Sequence, residues 1–153
     1  MLVLALGLMI LAAGRAAACG QYPQPPLPTA VVQVQTGGAS HAITAELATT
    51  EEQRSCGLMG RPPLAPDQGM LFDMRPAGPA FFWMDNTPEP LDMLFADAQG
   101  VIVHIEHNAV PFSQRLRGTR KPVAAVLELA GGSAERLGVR IGDRIALPWM
   151  QGG

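Results

Sequence analysis

Hydrophobic positions along the chain fall into short alternating or apolar runs broken by Gly, Pro, Asn and Asp, which is the spacing of strands joined by turns. AVVQVQ (30–35) and SHAITAE (40–46) alternate on either side of Gly37-Gly38 and predict a hairpin. Thr49 with Glu52 three residues on makes a capping box, and Gly57 supplies a stop, so a helix of one or two turns follows. The Pro-rich span 61–68 reads as loop, and 70–74 and 101–107 as strands. The span 108–121, with Pro111, Gly118 and mixed charge, reads as a long loop. VAAVLEL (123–129) is the pattern of a buried strand. Ser133 caps a second short helix over 134–137 that Gly138 ends, and 139–145 turns at Gly142-Asp143. These elements predict a mainly β fold, a single-domain β-sandwich or jelly-roll-like unit with one or two short helices.

The stretch FFWMDNTPEPLDMLFAD (81–97) concentrates Phe81, Phe82, Trp83 and Phe95 beside Met84, Met93 and the carboxylate of Asp92. Taking DNTPEP as a turn predicts a hairpin with Met84 opposite Leu91, Trp83 opposite Asp92 and Phe82 opposite Met93. One face, with Phe82, Met84, Leu91, Met93 and Phe95, is wholly apolar and belongs to the core. The other carries Phe81, Trp83, Asp92 and Leu94, the composition of a pocket wall. On that reading Trp83, Asn86, Thr87 and Asp92 bind a ligand, with Arg61 as an anion contact; Trp83 stacks on a sugar-like or apolar molecule that Asp92 orients. The competing reading makes Trp83 core and leaves Asp92 accepting backbone hydrogen bonds.

The chain opens with an apolar run, residues 2–13, followed by Arg15 and small residues up to Cys19, which is the shape of an export signal over residues 1–18. The run is too short to cross a bilayer as a helix. Ala16 and Ala18 suit an ordinary signal peptidase. Ala17-Ala18-Cys19-Gly20 resembles a lipobox, in which Cys19 is lipidated and the protein is held on the periplasmic side of a membrane. Pro23, Pro25, Pro26 and Pro28 then suit an extended tether over 19–30, leaving 31–149 as the domain. With Cys19 anchored, Cys56 reads as a lone small hydrophobe.

Composition narrows the partners. Seventeen Gly and 14 Pro fit short strands and turns better than helices. With 11 basic against 13 acidic residues and no basic cluster, nucleic acid is not an expected partner. Phosphate-cradling, C-x-x-C, H-E-x-x-H and nucleophile-elbow motifs are missing, and no cofactor is expected. His104 and Glu106 share one strand face but offer two metal ligands at most, so no metal site is assigned. Cys56 has no sequence-adjacent base that would make it a nucleophile. The local grammar of 132–145 is similar to that of peptide-binding PDZ domains, without their carboxylate-binding loop.

Gly57-Leu58-Met59 with Arg61, Gly69-Met70-Leu71-Phe72, Phe82-Trp83-Met84 with Asn86-Thr87, Pro90-Leu91-Asp92-Met93 with Phe95, Leu127-Glu128 and Gly142-Asp143 occur in an order that resembles the domain of unknown function 192 family, over residues 32–147. Gly60 and the charges around Glu106-His107 depart from the family's usual pattern. The resemblance implies a compact mainly β fold, often behind an export signal, and no established reaction, substrate or cofactor. The expectation is therefore an exported, periplasmic or lipid-anchored domain that binds a small ligand or an envelope protein without catalysis. Two alternatives stand beside it: a hydrolase or lyase using Asp92 and Glu106 as acid and base, and a structural envelope-assembly module.

Overall fold

The computed structural model describes residues 18–151. Its first strand, β1 (Thr29–Gln35), pairs antiparallel with β2 (Ser40–Ala48) in a register that sets Gln35 against Ser40, with Thr36 N donating to Ala39 O across the turn. Alternation sends Val32, Val34, Ile43 and Ala45 inward. Helix α1 (Glu51–Cys56) follows, then β3 (Gln68–Phe82), β4 (Leu91–Ala96), β5 (Ile102–Ala109), β6 (Arg117–Ala130), helix α2 (Ser133–Leu137) and β7 (Arg144–Ala146). The strands form one seven-stranded sheet in the order β5-β4-β6-β3-β2-β1-β7. Its edges approach each other through a bridge between Val101 and Arg144 and through Ile145 N donating to Gly100 O, so the sheet curls over its own core. Gly100 is required at that seam: its φ is +77°, and a Cβ there would collide with the Ile145 carbonyl.

The mainly β fold is as expected, but the hairpin over 81–97 does not form. Both β3 and β4 pair with β6, which lies between them, so Trp83 never faces Asp92. The physical reason lies in β6, whose long apolar run is buried on both faces and outcompetes a local turn for the two inner edges. DNTPEP becomes a crossover whose backbone is held by the segment before β6, with Met84 N donating to Ser113 O and Phe112 N to Thr87 O. The loop expected over 108–121 accordingly ends early, at Arg117. Core parity survives the change of partner. Met84, Leu91, Met93 and Phe95 share one buried cluster with Phe82 packed against it, and Phe72, Phe82 and Phe95 meet edge to face at 5.1 and 5.8 Å. Leu94 and Ala96 point to the second cluster, with Leu127, Leu129 and Ile43.

The caps also differ in detail. Thr50, not Thr49, caps α1, and Gln53 closes the box because its side chain accepts from both Thr49 N and Thr50 N. Helix α2 starts at Gly132 without a cap from Ser133.

The segment before β1 is the largest departure. Cys19 is bridged to Cys56, a sulfur that cannot also carry a lipid thioether, so neither the lipid-anchored Cys19 nor the lone Cys56 holds in this structure. Nor is 19–28 a free tether. Gln24 Nε2 donates to the carbonyls of Gln53 and Gly57, Leu27 N donates to Glu46, and Leu47 N donates to Pro28 O. An extended Pro-rich segment offers few amides of its own, and the domain supplies side-chain partners that composition does not reveal. The export-signal reading of residues 1–18 lies, apart from Ala18, outside the described residues. Among the described residues no helix is long and apolar enough to cross a membrane.

Candidate ligand-binding cleft

Glycine 57 ends α1 with φ of +45° and turns the chain over Phe72, opening a cleft of about 720 Å³ between the helix, the docked N-terminal segment and the end of β3. Tyr22, Phe81 and Trp83, each about half exposed at 48%, 49% and 48%, form its rim, while Phe72 and Phe82 lie deeper. The Cys19–Cys56 disulfide is part of the wall.

At the base is Glu128. Strand alternation puts it on the face of β6 that carries Val126, with Met70 and Met93 as its neighbours across β3 and β4. The residue is 4% exposed, and among the described residues no hydrogen-bond donor reaches its carboxylate. Burial, with a smaller contribution from the charge of Glu89, pushes its pKa up to about 8, so at neutral pH it is a carboxylic acid that can both donate and accept. Glu89 is also raised by burial, and both its oxygens accept from Leu64 N at 3.0 Å, which offsets part of the rise. The two acids thus have separate tasks: Glu89 fastens a loop, whereas Glu128 faces the cleft.

Among the residues singled out from the sequence, Trp83, Asn86 and Thr87 come together on this wall. Asn86, at φ of +50°, tolerates the left-handed backbone that turns the chain; its carbonyl accepts from Gly60 N and its amide bonds Asp85. Thr87 is buried, with its hydroxyl donating to Asp85 O. Asp92 and Arg61 do not join them. Asp92 is wholly buried on the other face of the sheet, accepting from Asn108 N at 2.8 Å, Gly132 N at 3.1 Å and Ala134 N at 2.7 Å. It is the remote cap of α2, the competing reading of that carboxylate. Arg61 grips Glu46 through two parallel bonds of 2.9 and 3.0 Å and also donates to Pro25 O, so its two terminal nitrogens hold the N-terminal segment, while its buried Nε has no partner among the described residues.

The Asp92 and Glu106 pair is likewise taken apart. Glu106 lies opposite Met93, on the face that Asp92 turns away from, and bonds His104 at 2.9 Å. No cleft can receive both carboxylates. Among the described residues no group of three or more His, Cys, Asp or Glu is arranged to hold a metal ion. Glu128 was hidden because its strand reads as uniformly buried. Its signal was present, however: a single acid inside VAAVLELA, where a charge has no ordinary reason to be.

A curled β domain with an acid that takes no donor from the described residues, beneath an aromatic rim, is thus the class that fold and cleft define. The chain belongs to the DUF192 family, described as uncharacterized ACR, whose model matches residues 32–147. It is similar to a crystal structure from Sinorhizobium meliloti 1021 described as a candidate transcription regulator, at 46% identity and a TM-score of 0.77 over 80% of this chain and 95% of that one. It is also similar to a protein of unknown function from Novosphingobium aromaticivorans DSM 12444, at 37% identity and a TM-score of 0.78 over 86% of this chain and 94% of that one. No curated protein matches the chain.

Proposed function

We propose that this protein is an exported binding domain that takes a small ligand into the cleft above Glu128 and performs no reaction on it. The observation that carries the reading is the Glu128 carboxyl, on a residue 4% exposed, which takes no donor from the described residues and opens on a cleft whose rim exposes Tyr22, Phe81 and Trp83. Holding an acid in so apolar a setting without a protein donor costs stability, and a ligand that supplies a partner recovers part of it. Half-exposed aromatics beside such a group add stacking surface. Export is supported by the apolar run at residues 2–13 and by a disulfide, which persists in oxidising compartments. The regulator description of the Sinorhizobium protein finds no counterpart in this chain's charge, which has no basic excess for gripping phosphates.

The test is a thermal-shift screen of amines, sugars and short peptides. A ligand at about a hundred times its Kd adds about 2.7 kcal/mol, a rise of several degrees. Trp83→Ala should fold, because Trp83 is half exposed, and should lose most of that rise. If no ligand class raises the melting temperature and Trp83→Ala unfolds the domain, the aromatic rim is core and the reading fails. Mass spectrometry of the exported chain should find Cys19 near the N-terminus, without a lipid and bridged to Cys56.

A further inference from the structure

Which ligand the cleft suits follows from what surrounds Glu128. Apolar and sulfur-bearing groups line the cleft with it: Phe72, Phe82, Leu58, Met59 and Met74. A sugar brings many hydroxyls, and such a floor would strand most of them without partners. An anion would meet an unfavourable field. Among the described residues, the charged groups on the cleft are Glu51 and Arg54 from α1, Asp85 from the loop after β3 and Glu128 from β6, with Glu89 behind it and the Tyr22 phenol at the rim. The one cation on the cleft among the described residues, Arg54, is already tied to Thr49 O. A positive, apolar-bodied molecule suits these features: a carboxylate at the base, Asp85 on the wall, and aromatic faces that attract cations. Methionine sulfur is soft and adaptable enough to pack the body of such a ligand.

We propose, building on the ligand-binding reading above, that the cleft accepts a small organic cation whose ammonium charge pairs with the Glu128 carboxylate and whose apolar body lies against Trp83, Phe82 and Phe81. Entry of the cation displaces the Glu128 proton to solvent, leaving an ion pair in place of an unpartnered acid. Binding is therefore linked to the ionisation of Glu128. Affinity rises with pH while the free protein holds the proton and levels off once Glu128 is already ionised, above about pH 8.

Isothermal titration with choline, whose charge is independent of pH in this range, and with its neutral isostere 3,3-dimethylbutan-1-ol tests this. Between about pH 6 and about pH 8, choline should tighten by up to about tenfold per unit and release protons, while the alcohol binds more weakly and without pH dependence. Glu128→Gln, checked for folding by its melting curve, should weaken choline by about tenfold or more, abolish the pH dependence and leave the alcohol unchanged. Trp83→Leu, at the half-exposed rim, should weaken choline by about threefold to tenfold with no effect on the pH slope. The proposal is overturned if the alcohol binds as tightly as choline, if choline binding is flat with pH or unaffected by Glu128→Gln, or if choline does not bind. Binding of the alcohol or of another neutral molecule in that last case keeps the cleft as a ligand site and removes only the cation. Failure of choline, the alcohol and the whole thermal-shift screen removes both.

Discussion

Two carboxylates sit in the middle of the sheet on neighbouring strands, and the protein treats them in opposite ways. Asp92 of β4 points to one face and receives three backbone N–H groups, two of them from the start of α2. Glu128 of β6 points to the other face and receives none from the described residues. Both are buried, at 0% and 4% exposure, so burial alone does not separate them. The donor inventory does. An acid that finishes the backbone's own hydrogen bonds is part of the scaffold, whereas one that waits beneath an open cleft has capacity left for something else.

The sharpest way to break this contrast is to remove the scaffold acid. Asp92→Ala leaves Asn108, Gly132 and Ala134 amides without their acceptor in a dry site. Each orphaned donor costs about 1–3 kcal/mol before relaxation, so the expected loss is about 4 kcal/mol, with Asp92→Asn recovering part of it. Urea unfolding measures this directly. A loss under about 1 kcal/mol would mean that water replaces the carboxylate, and that Asp92 is less structural than its bonds imply.

The same contrast predicts a smaller effect of opposite sign at Glu128. Its unfolded value is near 4.5 and its folded value about 8, so the unfolded chain gives up the proton first. Folding is favoured fully by this group below about pH 4.5, and that contribution is lost as pH rises to about 8, where it levels off. Glu128→Leu removes the acid at similar size. It should therefore change little at pH 4 and stabilise the protein by about 2 kcal/mol at pH 8, read as the difference between denaturation curves at the two pH values. A mutant that is destabilised equally at both pH values would show that Glu128 is held by partners and is no different in kind from Asp92.

Much of the scaffold was legible in the sequence. The Gly37-Gly38 hairpin, the helix stop at Gly57, the Gly138 stop and the inward face of Met84, Leu91, Met93 and Phe95 all depend on near neighbours or on parity, which sequence carries. The strand order was not. Whether 81–97 closes on itself or is split by β6 depends on a competition with residues about thirty positions downstream, and local turn chemistry says nothing about that rival. The site was legible by halves for the same reason. Trp83, Asn86 and Thr87 are close in the chain and arrive together on the cleft wall. Glu128 reaches them only through β6, and Asp92 and Arg61 were claimed first by α2 and by Glu46. The Cys19–Cys56 bridge is not legible once Cys19 is taken as a lipid anchor and 19–30 as a tether, whereas the extended segment lies along α1 within reach.

The smallest effect separates the two faces by backbone strain. Asn108, beside Asp92, has φ of +47°, and Phe112, beside the crossover that carries Thr87, has φ of +59°. Asparagine takes that conformation readily, so the Asp92 side is relaxed. Phenylalanine does not, and its side chain, 62% exposed, recovers little from packing. Phe112→Gly should remove the left-handed penalty of about 1–2 kcal/mol, return some of the gain through a freer unfolded chain, and raise stability by about 0.5–1 kcal/mol. Asn108→Ala should go the other way by a similar amount, because it forces an alanine into the same region. Phe112 N donates to Thr87 O, and glycine keeps that amide, so the crossover and the cleft wall that carries Thr87 stay in place and ligand affinity should be unchanged. Stability that does not rise would mean that the exposed ring is packed well enough to offset its backbone.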